Sequence, residues 1–245
     1  MGHQMTKTSD IKTLIEQNRR TISEMLHTTD QNSRLNNLHW IRDELSKETR
    51  ILFQYPDYMP QNQKSLYLDF NNIKNMGSAW DYIVEHDNVK TLDTYNIRHI
   101  HTILSEHTDI PGGVYRISDA HIMQMGVHAP SFQKMLYHMD DIVYQMQLKD
   151  TPVLLRAFNV HYDLIATQPF NDFNKRTARL VMNWFLISHG YRPILFNMRS
   201  DKEEYMAALR ARANGDAKAY YQYMYSCMLR TQRQIIKRLR TYKRI

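Results

Sequence analysis

Residues 167–179 read Thr-Gln-Pro-Phe-Asn-Asp-Phe-Asn-Lys-Arg-Thr-Ala-Arg, and this run decides how the chain is read. Before it lies Val153–Ile165, apolar on several sides and therefore predicted as a central buried helix. After it a helix is predicted from about Lys175 to His189, stopped by Gly190. A polar loop between two helices places a helix N-terminus, with its unpaired N–H groups and positive dipole end, where it can receive phosphate. Lys175, Arg176 and Arg179 fall on the first turn, and Arg176 and Arg179, three apart, share one face. Asp172, just before, supplies one carboxylate, enough for Mg²⁺ when phosphates and water complete its shell. On spacing alone a second reading stays open: a helix capped by Asp172 or Asn174 with a solvated basic first turn.

The flanking sequence is mostly helical. Amphipathic periods predict helices over about Ile11–Leu26, Leu35–Phe53 and Ser65–Val84, with Pro56 and Pro60 breaking the chain after the second. Another begins at Thr91 and ends before Pro111-Gly112-Gly113. Val114–Ile117 and Ile122–Val127 are short and β-rich, and predict a small hairpin. Ser131 is expected to cap a helix to about Leu148, and Pro152 to open the central one. Ser200 starts a helix through Leu209, and Asn214-Gly215 separates it from a long basic C-terminal helix. The fold class expected is all-α, a helical bundle with one small β-hairpin.

The 245 residues suit one large domain, or one with an N-terminal extension, and seven Gly and seven Pro argue against a loop-rich sandwich. A net charge of +7 favours anionic partners. Much of it is local: Arg230, Arg233, Lys237, Arg238, Arg240, Lys243 and Arg244 lie on one predicted helix. No nucleic-acid-reading motif accompanies that tail, so a solvated face is the expectation. The single Cys227 excludes an internal disulfide framework and a Cys-rich metal site. No run reads as a transmembrane helix or as a cleavable leader.

The 167–179 run closely resembles the active-site signature of the Fic/Doc family, His-x-Phe-x-Asp/Glu-Gly-Asn-Gly/Lys-Arg-x-x-Arg. The matches are Phe170, Asp172, Asn174, Lys175, Arg176 and Arg179; the departures are Gln168 for His and Phe173 for Gly. Gly113-Val114-Tyr115-Arg116, Gly126–Pro130, Asn75–Ile83 and Asp201–Asp216 resemble other parts of the family, so that residues from about 72 to 229 are covered in order. The resemblance implies the Fic fold over 61–229, an N-terminal helical extension over 1–60 and a basic helix end over 230–245. It implies transfer of AMP from ATP to a Ser, Thr or Tyr hydroxyl of a protein target. In those roles position 168 takes the hydroxyl proton, and Asp172 holds Mg²⁺. Asn174, with the backbone around Phe173 and Lys175, cradles phosphates, while Arg176 and Arg179 hold the outer ones. The hairpin from about Arg116 to His128, with Ile122, Met123, Gln124, Met125 and Gly126, forms a flap that docks the target by strand addition. Alternatives under the same resemblance are Doc-like phosphorylation, suggested by Lys175, and a non-catalytic module that binds nucleotide or protein. A homo-oligomer, and either a cytoplasmic location or delivery into another cell, are compatible with all three.

Gln168 bears directly on activity. Imidazole accepts a proton near neutral pH, whereas a carboxamide only accepts a hydrogen bond. General-base catalysis contributes about 10²–10⁴ in rate, so a Gln at this position implies that turnover is impaired by about that factor. Gln168 reads as a substitution in an active sequence, as a natural loss of catalysis, or as a sign that His161 or His128 serves instead. Phe173 is bulky where close backbone approach to phosphate calls for Gly. Ser65–Phe70 is the nearest run to the family's inhibitory helix, with Asp69 in place of its Glu.

Overall fold

The spacing of apolar side chains becomes a helical bundle around one buried hairpin of helices. In the computed structural model, which describes residues 8–28, 38–45, 63–122, 125–196 and 200–242, the elements follow in order. They are α1 (Thr8–His27), α2 (38–45), α3 (Gln63–Glu85), α4 (Thr94–Ser105), β1 (His121–Ile122), β2 (Val127–His128), α5 (Phe132–Gln147), α6 (Val153–Thr167), α7 (Asn174–Ser188), α8 (Lys202–Ala213) and α9 (Ala217–Tyr242). The side chains of residues 63–70, including Ser65 and Asp69, lie outside the described set. The fold is the all-α bundle with a small antiparallel hairpin expected from sequence.

The α6–α7 pair forms the centre. Leu154, Phe158, Val160, Leu164 and Ile165 of α6 are buried against Leu180, Val181, Trp184 and Phe185 of α7. Burial of each such side chain is worth about 1.5–3 kcal/mol, so this contact fixes the ends of the two helices relative to each other. α5 covers α6, and α3 with α4 covers α7. Asn75 fastens those two together: its Nδ2 donates to Leu104 O at 3.2 Å and Glu106 O at 2.7 Å, satisfying carbonyls at the end of α4. α4 itself starts with a capping box between Asp93 and Asn96. On the far side α1 lies along α9 in the same direction. Lys12 sits over the Tyr225 ring, Ile15 O accepts from Gln232 Nε2 at 3.1 Å, and Ile22 packs with Ile235, Ile236 and Leu239.

Ser131 precedes α5 but makes no side-chain capping bond; Asp119 Oδ1 accepts from Phe132 N–H at 2.9 Å instead. A strand expectation also fails. Val114–Ile117 is not a strand; β1 begins later, at His121, and pairs His121 with His128 and Ile122 with Val127. The reason is where the backbone groups of this segment go. Gly113 N–H donates to His101 Nδ1 at 2.9 Å, Gly113 O accepts from Arg98 Nε at 2.7 Å, and Arg116 N–H donates to Pro169 O at 2.9 Å. The segment is bound to α4 and to the loop after α6, not to a second strand. Gly113 is required there: φ is +66°, and a Cβ would lie 2.6 Å from Thr102 Oγ1 and 3.0 Å from Arg98 O.

Candidate active site

The loop between α6 and α7 is held by its own side chains. At the end of α6, Gln168 enters the left-handed region (φ +46°, ψ +59°) while its N–H still reaches Leu164 O at 3.1 Å. For a residue with a Cβ this conformation costs about 1–2 kcal/mol. The side chain offsets it: Gln168 Nε2 donates to Ile165 O at 2.9 Å, satisfying a carbonyl of the last helical turn. Gln168 Oε1 accepts from Asn174 Nδ2 at 2.9 Å. Asn174 also closes the loop on itself, with Oδ1 accepting from Phe170 N at 2.9 Å and Nδ2 donating to Phe170 O at 2.8 Å. The buried Asn174 carboxamide is thus an internal brace, and both ends of the Gln168 carboxamide are engaged within the loop.

Phe173 is the second left-handed residue, at φ +59° and ψ +5°, and precedes α7, whose N-terminus has no side-chain cap. Its buried ring lies under Arg176, whose guanidinium carbon is 4.5 Å from the ring centre. The departure from Gly at this position is accommodated inward, in the core. Phe170, 1% exposed, stacks on His101 with ring centres 3.8 Å apart.

His101 is a member of the site that sequence reasoning missed. Fully buried on α4, it accepts Gly113 N–H at Nδ1, so Nε2 carries the proton and donates to Asp172 O at 3.2 Å. Burial pushes its pKa down to about 4, against a weaker upward pull from Asp172. It is therefore a neutral strut under the loop. Nothing local in the sequence marks it, because its partners are 12 and 71 residues away.

The residues expected to face phosphate lie close together on one helix. Lys175 and Arg176 are half-buried and Arg179 is buried, all at the start of α7. Burial pushes Arg176 down to about 10, opposed by Asp172 and reinforced by Arg179. Burial lowers Lys175 too, with Arg179, Lys202 and Arg176 adding to the effect and Asp172 opposing it. Lys202, on the first turn of α8, joins this cluster without having been singled out as a site residue. Lys175 and Arg176 are thus partly desolvated, and each is further lowered by neighbouring cations while Asp172 opposes the shift. Arg176 Nη1 donates to Asn72 Oδ1 of α3 at 2.9 Å. Asp172 is exposed, and its Oδ1 accepts from Phe173 N at 2.6 Å.

The expected flap residues divide. Ile122 and Met125 are buried, and Gly126, at φ +69°, donates its N–H to Ile122 O at 3.0 Å. Arg116 is buried at the stem. Met123 and Gln124 lie outside the described residues. His128 is exposed, and its ring lies 4.3 Å from that of His121 across the hairpin.

His161 is removed as a substitute base. It is fully buried in α6, with Nδ1 2.8 Å from Tyr220 Oη and Nε2 3.0 Å from Tyr205 Oη. Burial, with Arg179 and Arg212 nearby, holds its pKa at about 3. Both ring nitrogens are occupied by phenols, so it is a core histidine.

Residues 91–186 match the Fic/DOC family. A protein of Aedes aegypti named protein adenylyltransferase Fic is 28% identical over 172 residues, 66% of this chain and 33% of its own length. One of the same name from Nematostella vectensis is 25% identical over 173 residues, 67% of this chain and 39% of its own length. The chain thus spans about a third of the length of these relatives. A Fic-domain-containing signalling protein of Bacteroides thetaiotaomicron has the same fold, with a TM-score of 0.73 at 20% identity over 94% of this chain and 97% of its own. By the family model, residues 91–186 form a Fic/DOC family domain, and the chain adopts the Fic fold.

Proposed function

We propose that this chain is a Fic-type protein adenylyltransferase whose turnover is impaired by Gln168. The observation that supports the reading is the gathering of Lys175, Arg176 and the buried Arg179 on the first turns of α7, beside Asp172, at a helix N-terminus without a side-chain cap. A nucleoside triphosphate neutralises that cluster and accepts the first-turn N–H groups of α7. Arg176 and Arg179 hold the outer phosphates, with Lys175 adding charge. The Asn174 side chain and the backbone of Phe173 keep the loop in the shape that receives them. Asp172 is the residue that would hold Mg²⁺. Its carboxylate is exposed just before the α7 N-terminus, which fits a single-carboxylate role with phosphates and water completing the shell. When bound, the ion would neutralise phosphate charge.

The reaction assigned to this site is attack by a protein Ser, Thr or Tyr oxygen on the α-phosphorus of ATP. The new P–O bond forms as the bond to the bridging oxygen breaks, and pyrophosphate leaves. The hydroxyl proton must go to a base, and at position 168 the base is missing. The Gln168 carboxamide is moreover committed to Ile165 and Asn174. That commitment supports a second reading, in which the unaltered chain binds nucleotide or a protein partner without turnover.

The test is Gln168→His supplied with α-³²P- and γ-³²P-labelled ATP in parallel, in the presence of cell lysate. Protein labelled from the α position supports adenylylation. Label from the γ position alone supports the Doc-like reaction, and label from neither rejects both transfers.

A further inference from the structure

Arg116 is 3% exposed, and among the described residues no carboxylate pairs with it. Its guanidinium is instead surrounded by carbonyls. Nε donates to Gln168 O at 2.7 Å, Nη1 to Ser118 O at 2.7 Å, and Nη2 to Pro130 O at 2.5 Å and Thr167 O at 3.3 Å. Its backbone N–H adds Pro169 O at 2.9 Å. One residue therefore binds three consecutive carbonyls, of Thr167, Gln168 and Pro169, together with one carbonyl from each stem of the β1–β2 hairpin. Burying a cation is unfavourable, and here desolvation lowers its pKa, with the Asp119 carboxylate opposing the shift from a distance. A planar fork of five donors can satisfy several carbonyls in fixed directions, which a Lys ammonium cannot.

We infer that Arg116 is a positioning residue that couples the flap to position 168, so that the placement of the hairpin and the placement of the loop that carries the missing base are set together. The inference deepens the flap-and-loop reading given above and rests on it for its functional meaning. Its geometry is independent of any nucleotide. A target segment adding to the hairpin edge fixes the placement of β1 and β2, and Arg116 transmits that placement to the backbone at 167–169. Arg116 thus has no docking surface of its own. It works from beneath the flap.

The experiment is residue-resolved amide hydrogen exchange on the whole chain, unaltered and as Arg116→Lys and Arg116→Gln. The diagnostic amides are Ala129 N–H, bonded to Ala120 O, and Gly126 N–H, bonded to Ile122 O, for the flap. For the loop they are Gln168 N–H, bonded to Leu164 O, and Phe170 N–H, bonded to Asn174 Oδ1. Leu195 N–H, bonded to Thr231 Oγ1, and Tyr205 N–H, bonded to Asp201 O, are the controls. The expected result is exchange faster by about tenfold or more in flap and loop together for Arg116→Gln. Arg116→Lys should give partial protection and the controls should not change. Arg116→Lys carries the test should the Gln variant not fold. Acceleration of the flap alone, of the loop alone, of neither, or of all amides equally overturns the coupling. None of these readouts needs nucleotide or turnover, so failure of the adenylyltransferase reading leaves the outcome separately visible. Restoring the base with Gln168→His then adds a functional readout. In that background Arg116→Lys should lower self-labelling from α-³²P-ATP while leaving calorimetric ATP affinity within about twofold. An affinity loss equal to the loss of labelling would place Arg116 in nucleotide binding instead.

Discussion

Asn174 Nδ2 donates to Gln168 Oε1 at 2.9 Å, so the residue that opens α7 and the residue that ends α6 close the loop across its mouth. The same Asn174 side chain bonds both backbone polar groups of Phe170. Three hydrogen bonds thus depend on one buried carboxamide. Asn174→Ala leaves the Phe170 N–H and C=O buried without these partners and should lower stability by about 2–4 kcal/mol. A midpoint shift in urea denaturation with an unchanged slope would show it. A change below about 0.5 kcal/mol would mean the loop does not need its brace.

Phe173 opposes two effects of different size. Replacing it by Gly relieves a left-handed conformation worth about 1–2 kcal/mol. It also removes a ring that is only 5% exposed, at a cost of about 3–5 kcal/mol for a truncation of this kind. The loss should win, and Phe173→Gly should be less stable by about 2 kcal/mol despite matching the family signature better. Differential scanning calorimetry decides the sign.

His101 and His161 are both buried and neutral, with pKa values lowered to about 4 and about 3. In the unfolded chain each titrates near 6.5. Between that value and about 4 the unfolded state binds protons that the folded state does not, so stability is full above pH 6.5 and falls as pH drops. A loss of about 2–3 kcal/mol per histidine, about 5 kcal/mol for the pair, by pH 4.5 is expected, read from denaturation midpoints across pH 4.5–7.5. His101→Gln should flatten the curve while His161 keeps part of the slope. A pH-independent midpoint over that window would contradict the assignment of two neutral core histidines.

Arg176 should contribute more to nucleotide binding than its exposure suggests, because it is already desolvated and stacked on Phe173. Arg176→Ala should weaken ATP affinity about tenfold to a hundredfold. The remaining affinity should also depend less steeply on salt, since one phosphate-facing charge is gone. Equal affinity in the two proteins would remove Arg176 from the site.

The parts of this site that were legible in sequence are those carried by local spacing. Lys175, Arg176 and Arg179 had to fall on one helix turn once the helix began near Asn174, and Gly190, at φ +79°, stops that helix where a residue without a Cβ is needed. What could not be read are contacts over long separations. His101 reaches Asp172 only because α4 packs on α7, and Asn72 reaches Arg176 only because α3 does. The Val114–Ile117 segment looked like a strand because β-rich residues signal extended backbone. Extended backbone does not reveal which partner takes its hydrogen bonds.

The central claim is that the phosphate-holding half of the loop is intact while its proton-accepting half is absent. Isothermal titration of the unaltered chain and of Gln168→His with ATP and Mg²⁺, side by side, tests it most directly. The account predicts binding tighter than about 1 mM in both, with dissociation constants within about threefold of each other. Absence of binding by the unaltered chain at millimolar ATP, or binding that appears only with His at position 168, would contradict it.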